Sequence, residues 1–168
     1  MSTPNPYDEV PYPSQSYAST YPDYLRTHGI LRGMNPAAAA RCRVLELGCG
    51  AGGNLLPMAL TLPQSKFIGI DLAAEPILEG KRLIAAAGLT NITLLQGDVC
   101  NLTADLGRFD YIIAHGLYSW VPPAVREKLL AVIQASLTPN GVAFVSYNAQ
   151  PGGHVRQMFC SGREVNGV

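Results

Sequence analysis

From residue 43 onward the chain alternates short, nearly continuous apolar runs with longer runs in which apolar positions recur every three or four residues. The short runs predict five strands: 43–47, 66–70, 92–95, 110–114 and 142–147. They lack a clean period-two alternation, as strands do when both sheet faces are covered. The longer runs predict helices at 54–62, 75–87 and 122–137. In the first, Pro57 falls near the opening turn and Pro63 ends the run. In the second, Ile77, Leu78, Leu83 and Ile84 make an apolar stripe and Gly88 caps the end. In the third, Val125, Leu129, Val132 and Ile133 share a face. Residues 22–40 read as helix in pieces, with Leu25, His28, Ile30, Leu31 and Met34 on one side and Gly29 and Gly33 weakening it. Strand alternating with helix predicts an α/β fold, a doubly wound, mainly parallel Rossmann-like sheet with right-handed crossovers.

The pattern stops at both ends. Residues 1–24 hold five prolines and five tyrosines, and regular structure is not expected through Pro13. Residues 1–10 read as a disordered tail. Tyr12, Tyr17, Tyr21 and Tyr24 leave two readings open, a continued tail or a lid folded back over the domain. The domain itself is expected over 25–148, and 149–168 reads as an irregular, glycine-rich tail.

Charge and cysteine usage narrow the class. The formal net charge is zero, which excludes a broad nucleic-acid footprint. No apolar run reaches membrane-spanning length, and Asp8 and Glu9 are out of place in a signal peptide. Cysteines 42, 49, 100 and 160 have neither zinc-site nor disulfide-framework spacing, so no metal is expected and the default compartment is a reducing cytoplasm. Charged residues are 14% of the chain, against about 25% in ordinary soluble domains, which predicts surface that something else covers.

The chemistry gathers at strand ends. Val44-Leu45-Glu46-Leu47-Gly48-Cys49-Gly50-Ala51-Gly52-Gly53-Asn54 reads as strand, glycine turn and helix start, where nucleotide-like cofactors meet the backbone of open α/β sheets. Gly48, Gly50 and Gly53 also satisfy a dinucleotide pattern, with Asp71 downstream as ribose acid. Glu46 disfavours NAD, because its carboxylate repels a pyrophosphate and attracts the ammonium and sulfonium of S-adenosylmethionine. Asp71 is read as the ribose ligand with Leu72 facing the adenine, against the alternative of a helix cap. Asp98, with Val99 beside it, is read as the adenine contact, against a plain turn residue. His115-Gly116-Leu117-Tyr118-Ser119-Trp120 follows the fourth strand and forms the expected acceptor wall, with His115 and Tyr118 as candidates to orient or deprotonate the acceptor.

Taken together, Glu46-Leu47-Gly48-Cys49-Gly50, Ile70-Asp71-Leu72, Gln96-Gly97-Asp98 and 109–115 resemble the ordered motifs of class I S-adenosylmethionine-dependent methyltransferases. The resemblance runs from about Arg43 to Tyr147. It implies S-adenosyl-L-methionine as cofactor, with Glu46, Gly48, Gly50, Asp71 and Asp98 at it; Cys49, Leu72, Val99 and His115 complete the expected cofactor-binding set. Residues 7–12, Gly52-Gly53-Asn54-Leu55-Leu56-Pro57 and 115–122 further resemble bacterial methyltransferases that carry a C-terminal regulatory domain, some of which methylate protein lysines. That implies transfer of a methyl group to an N or O nucleophile, a protein lysine or a small molecule. Two departures stand out. Gln150-Pro151-Gly152-Gly153-His154 replaces a Tyr-Pro-Gly-Trp-His stretch, and the last strands and regulatory domain are missing from the expected pattern. The rival readings are a cofactor-binding fragment without activity and an NAD-dependent oxidoreductase.

Overall fold

Five parallel strands lie in the order β3-β2-β1-β4-β5 in the computed structural model, which describes residues 15–102 and 106–149. β1 is Arg43–Leu47, β2 Lys66–Asp71, β3 Ile92–Gln96, β4 Phe109–Ala114 and β5 Leu137–Val145. α1 (Pro22–Leu31) precedes the sheet; α2 (Leu55–Thr61), α3 (Ala74–Ala86) and α4 (Pro123–Ser136) are crossovers. The winding runs outward from β1 through β2 to β3, then returns to β4 on the other side of β1. The direction of winding therefore reverses between β1 and β4, and the crevice at the carboxyl ends of those two strands is where ligands enter such sheets.

Both faces are covered, which explains the unbroken apolar strands. One core layer joins Val44, Leu55, Met58, Phe67, Leu94, Tyr111 and Ile113. The other joins Leu45, Leu47, Ile70, Ile112, Leu129 and Ile133. Successive residues of β1 and β4 thus feed opposite layers.

Three expectations are corrected by packing. On α3, Leu78 and Leu83 are 46% and 47% exposed, and the buried line is Ile77 and Gly80. A Cβ at Gly80 would stand 2.4 Å from the Ala51 carbonyl oxygen, so the bare glycine lets α3 press against the turn after β1. On α1, Ile30 and Leu31 face out while Pro22, Leu25 and Gly29 are buried. Gly29 also has a packing role: a Cβ there would meet Pro36 Cγ at 2.5 Å, and its absence allows the close approach. Finally, the fifth strand begins at Leu137, opposite Phe109, rather than after Pro139-Asn140-Gly141. Those three residues form the irregularity that resets the register to Tyr111 opposite Val142.

Candidate functional site at the carboxyl ends of β1 and β4

β1 delivers Glu46 into the interior as its last acid. The side chain is 4% exposed, and burial pushes its carboxyl up to about 8, opposed by a hydrogen bond from Asn54 and reinforced by the charge of Asp71. Oε1 accepts from Asn54 Nδ2 at 2.8 Å. Oε2 is buried with no hydrogen-bond partner among the described residues. A buried carboxyl oxygen without a hydrogen-bond partner is costly, and a cationic ligand beside it would favour its ionised form and engage that oxygen. The residues present therefore fit the sulfonium-type cofactor inferred for this turn.

The glycine turn is pinned from β2. The Ile70 carbonyl accepts from the N–H groups of Gly48 (2.8 Å) and Cys49 (3.2 Å). Asp71 Oδ2 accepts from Gly50 N–H at 2.7 Å, and Oδ1 from Ala73 N–H at 2.9 Å. The amides of Gly48, Cys49 and Gly50 are thus engaged by the protein. The turn leaves room where side chains are missing: Gly50, at φ +52°, has open space where a Cβ would project. Cys49 turns its thiol inward, where it packs against Gly69 beside Leu94, so only its backbone lines the turn.

The other cofactor candidates divide. Leu72 is 46% exposed next to Asp71, an apolar surface beside the turn. Asp98 is exposed and holds a 3₁₀ turn, Oδ1 accepting from Cys100 N–H at 2.8 Å, and Val99 packs against the second core layer. In the loop after β4, Leu117 lies 3.5 Å from the Cβ position of Gly48, so that loop and the glycine turn lean on one another. The His115 ring stacks on Tyr17 (centroids 3.8 Å) and more distantly on Phe144 (5.9 Å), and burial lowers its pKa. Tyr118 lies further along, edge-on to Tyr147 at 6.5 Å and under the Arg126 guanidinium at 5.6 Å. These residues, with Ser119 and Asn148, line a shallow open cleft.

Sequence reasoning missed the residues that join these parts. Asn54 and Thr20 are buried polar side chains, 4% and 0% exposed. Asn54 Oδ1 accepts from Tyr17 N–H (3.0 Å) and Thr20 Oγ1 (3.1 Å). Of the tyrosines read as a lid, Tyr17 and Tyr21 are half-buried, Tyr24 is largely exposed, and Tyr12 lies outside the described residues. Asn54 carried a legible signal, a polar residue closing the glycine run at the helix start. Tyr17 stands among the tyrosines of the possible lid, but its pairing with His115 carried no local signal, because the contact spans nearly a hundred positions.

A five-stranded parallel sheet, a glycine turn at its reversal point and a buried acid before it define a Rossmann-like cofactor-binding protein of the methyltransferase type. Residues 44–141 match the methyltransferase domain family, and the chain belongs to the class I S-adenosylmethionine-dependent methyltransferases. An uncharacterized protein of Rickettsia prowazekii is 47% identical over 146 residues, covering 87% of this chain and 58% of its own length. The structure of PKMT2 from Rickettsia typhi in complex with AdoHcy superposes with a TM-score of 0.85 at 42% identity, covering 94% of this chain and 31% of PKMT2. Trans-aconitate 2-methyltransferase of Deinococcus radiodurans is 32% identical over 107 residues, 64% of this chain and 38% of that enzyme. The chain therefore spans between about a third and three fifths of the length of these relatives.

Proposed function

We propose that this chain binds S-adenosylmethionine at the β1 turn and transfers its methyl group to a nitrogen or oxygen nucleophile, a protein lysine amine foremost. The observation that carries the cofactor reading is Glu46, a buried carboxyl with one oxygen lacking a donor at the reversal point of the sheet. The lysine reading is supported by the likeness to PKMT2 of R. typhi and by the motif resemblance at 115–122.

The cofactor, once bound, supplies an already activated methyl group. The protein's own work is then alignment and exclusion of water. Glu46 offers its free oxygen to the cationic end. Asp71, pinned between the Gly50 and Ala73 amides, keeps further lone pairs for ribose hydroxyls. Leu72 offers an apolar face to the base, and Asp98 with Val99 is the proposed adenine edge. His115 stacks on Tyr17 and, more distantly, on Phe144, and burial lowers its pKa, which favours the neutral imidazole; it is the proposed group to orient the acceptor or receive its proton. Tyr118, beside Tyr147 and Arg126, is the proposed acceptor wall.

Isothermal titration with S-adenosylmethionine, S-adenosylhomocysteine and NAD tests the cofactor. Binding of the first two and not the third is expected; binding of NAD alone overturns it. For the acceptor, transfer of labelled methyl from S-adenosylmethionine to lysine-containing protein is expected. Label found only on small molecules, or on protein sites other than lysine, removes the lysine reading.

A further inference from the structure

We infer that Asn54 is a positioning residue that couples occupancy of the cofactor site to docking of residues 17–20 over His115. The inference rests on the reading of Glu46 as part of the cofactor site.

The geometry fixes how the Asn54 amide is turned. The Tyr17 backbone N–H can only donate, so the group it meets at 3.0 Å is the oxygen Oδ1. The other end, Nδ2, is then the donor that meets Glu46 Oε1 at 2.8 Å. One planar amide therefore has the cofactor carboxyl on one side and the N-terminal segment on the other. The segment is clasped at two points. Besides the Tyr17 amide, the Thr20 hydroxyl is shared between Asn54 Oδ1 (3.1 Å) and the Tyr17 carbonyl (2.7 Å). Thr20 also closes the 3₁₀ turn Ala18–Thr20 through its own N–H to the Tyr17 carbonyl at 3.0 Å. Clasped there, the segment lays the Tyr17 ring on His115.

All three side chains in this chain of contacts are nearly dry, with Thr20 at 0% and Glu46 and Asn54 at 4% exposure. Hydrogen bonds in such surroundings hold orientation tightly, and leaving any partner unpaired is costly. A cation that engages Glu46 Oε2 stiffens the carboxyl, hence the amide, hence the seat of Tyr17. Coupling of this kind is reciprocal: whatever seats the segment also strengthens ligand binding. Tyr17 then closes the histidine side of the crevice when ligand is bound.

The test is amide hydrogen exchange over residues 15–25 of the full chain, with and without S-adenosylhomocysteine, alongside titration calorimetry. In the unaltered protein, ligand should slow exchange at Tyr17 and Thr20 at least tenfold. Thr20→Val keeps shape and removes the hydroxyl, whose hydrogen bonds among the described residues run to Asn54 and Tyr17. It should raise exchange at Tyr17 and weaken ligand binding several-fold, and Thr20→Ser should restore both. Asn54→Ala should abolish the ligand effect on Tyr17 while amides of β1 and β2 stay protected. If Thr20→Val frees the segment and leaves affinity unchanged, the coupling is overturned. If the ligand binds well yet does not alter exchange at residues 17–20, it is likewise overturned while the cofactor reading stands. If the unaltered protein binds no S-adenosylhomocysteine, the cofactor reading falls, and the coupling with it.

Discussion

Glu46 holds a proton that a solvent-exposed glutamate would have lost. Burial raises its carboxyl from 4.5 to about 8, the Asn54 hydrogen bond opposes the shift, and the charge of Asp71 adds to it. The folded protein thus binds a proton that the unfolded chain releases between those values. This contribution to stability is full below pH 4.5 and is lost as pH rises to about 8. Urea midpoints of the ligand-free protein should carry a downward term from about pH 5 to about pH 8, and Glu46→Gln should remove it; parallel profiles for the two proteins would show that the group is not buried as described. Asp71 works differently. Both of its oxygens already accept backbone N–H groups, so Asp71→Ala removes a brace of the turn together with the proposed ribose contact. S-adenosylhomocysteine affinity should fall at least tenfold, about 1.4 kcal/mol, and stability by about 1–3 kcal/mol. Calorimetry and denaturation read the two separately, and an unchanged affinity in a folded variant would take Asp71 out of the site.

At the scale of elements, the site depends on how closely α3 sits against the β1 turn. Gly80 is the point of contact, and an added Cβ would come 2.4 Å from the Ala51 carbonyl, a backbone atom that cannot rotate away. Gly80→Ala should therefore cost about 1–3 kcal/mol despite alanine's better helix propensity, a Tm lower by roughly 3–10 °C. Thermal melts check this, and an unchanged Tm would mean α3 has slack. The same contact explains why the buried line of α3 departs from its apolar stripe. Periodicity marks which residues are apolar, but Leu78 and Leu83 lie off the line that Gly80 presses inward.

For the whole molecule, the sheet sets both the site and a liability. Among the described residues β5 lies at one sheet edge, and Val142, Phe144 and Val145 are only half-buried. Apolar edge strands recruit other chains, and a charge content of 14% offers little resistance. The chain should self-associate with rising concentration, and Ala143→Lys, at an exposed position of β5, should reduce this. Light scattering decides it: a monodisperse monomer at all concentrations, or no effect of the lysine, would contradict the argument. The strands, the parallel winding, and the places of Glu46, Asp71 and His115 at strand ends could be read from the sequence, because apolar periodicity and strand-terminal glycines and acids are local signals. The sequence by itself determined the strands, their parallel winding and which polar residues stand at the strand ends. Tertiary structure decided what is long-range: the inward tilt of Cys49, the exposure of Asp98, the start of β5 at Leu137, and the joining of Thr20 and Tyr17 to Glu46 through Asn54. Those depend on which faces meet once the helices pack, and no pattern confined to neighbouring residues encodes that meeting.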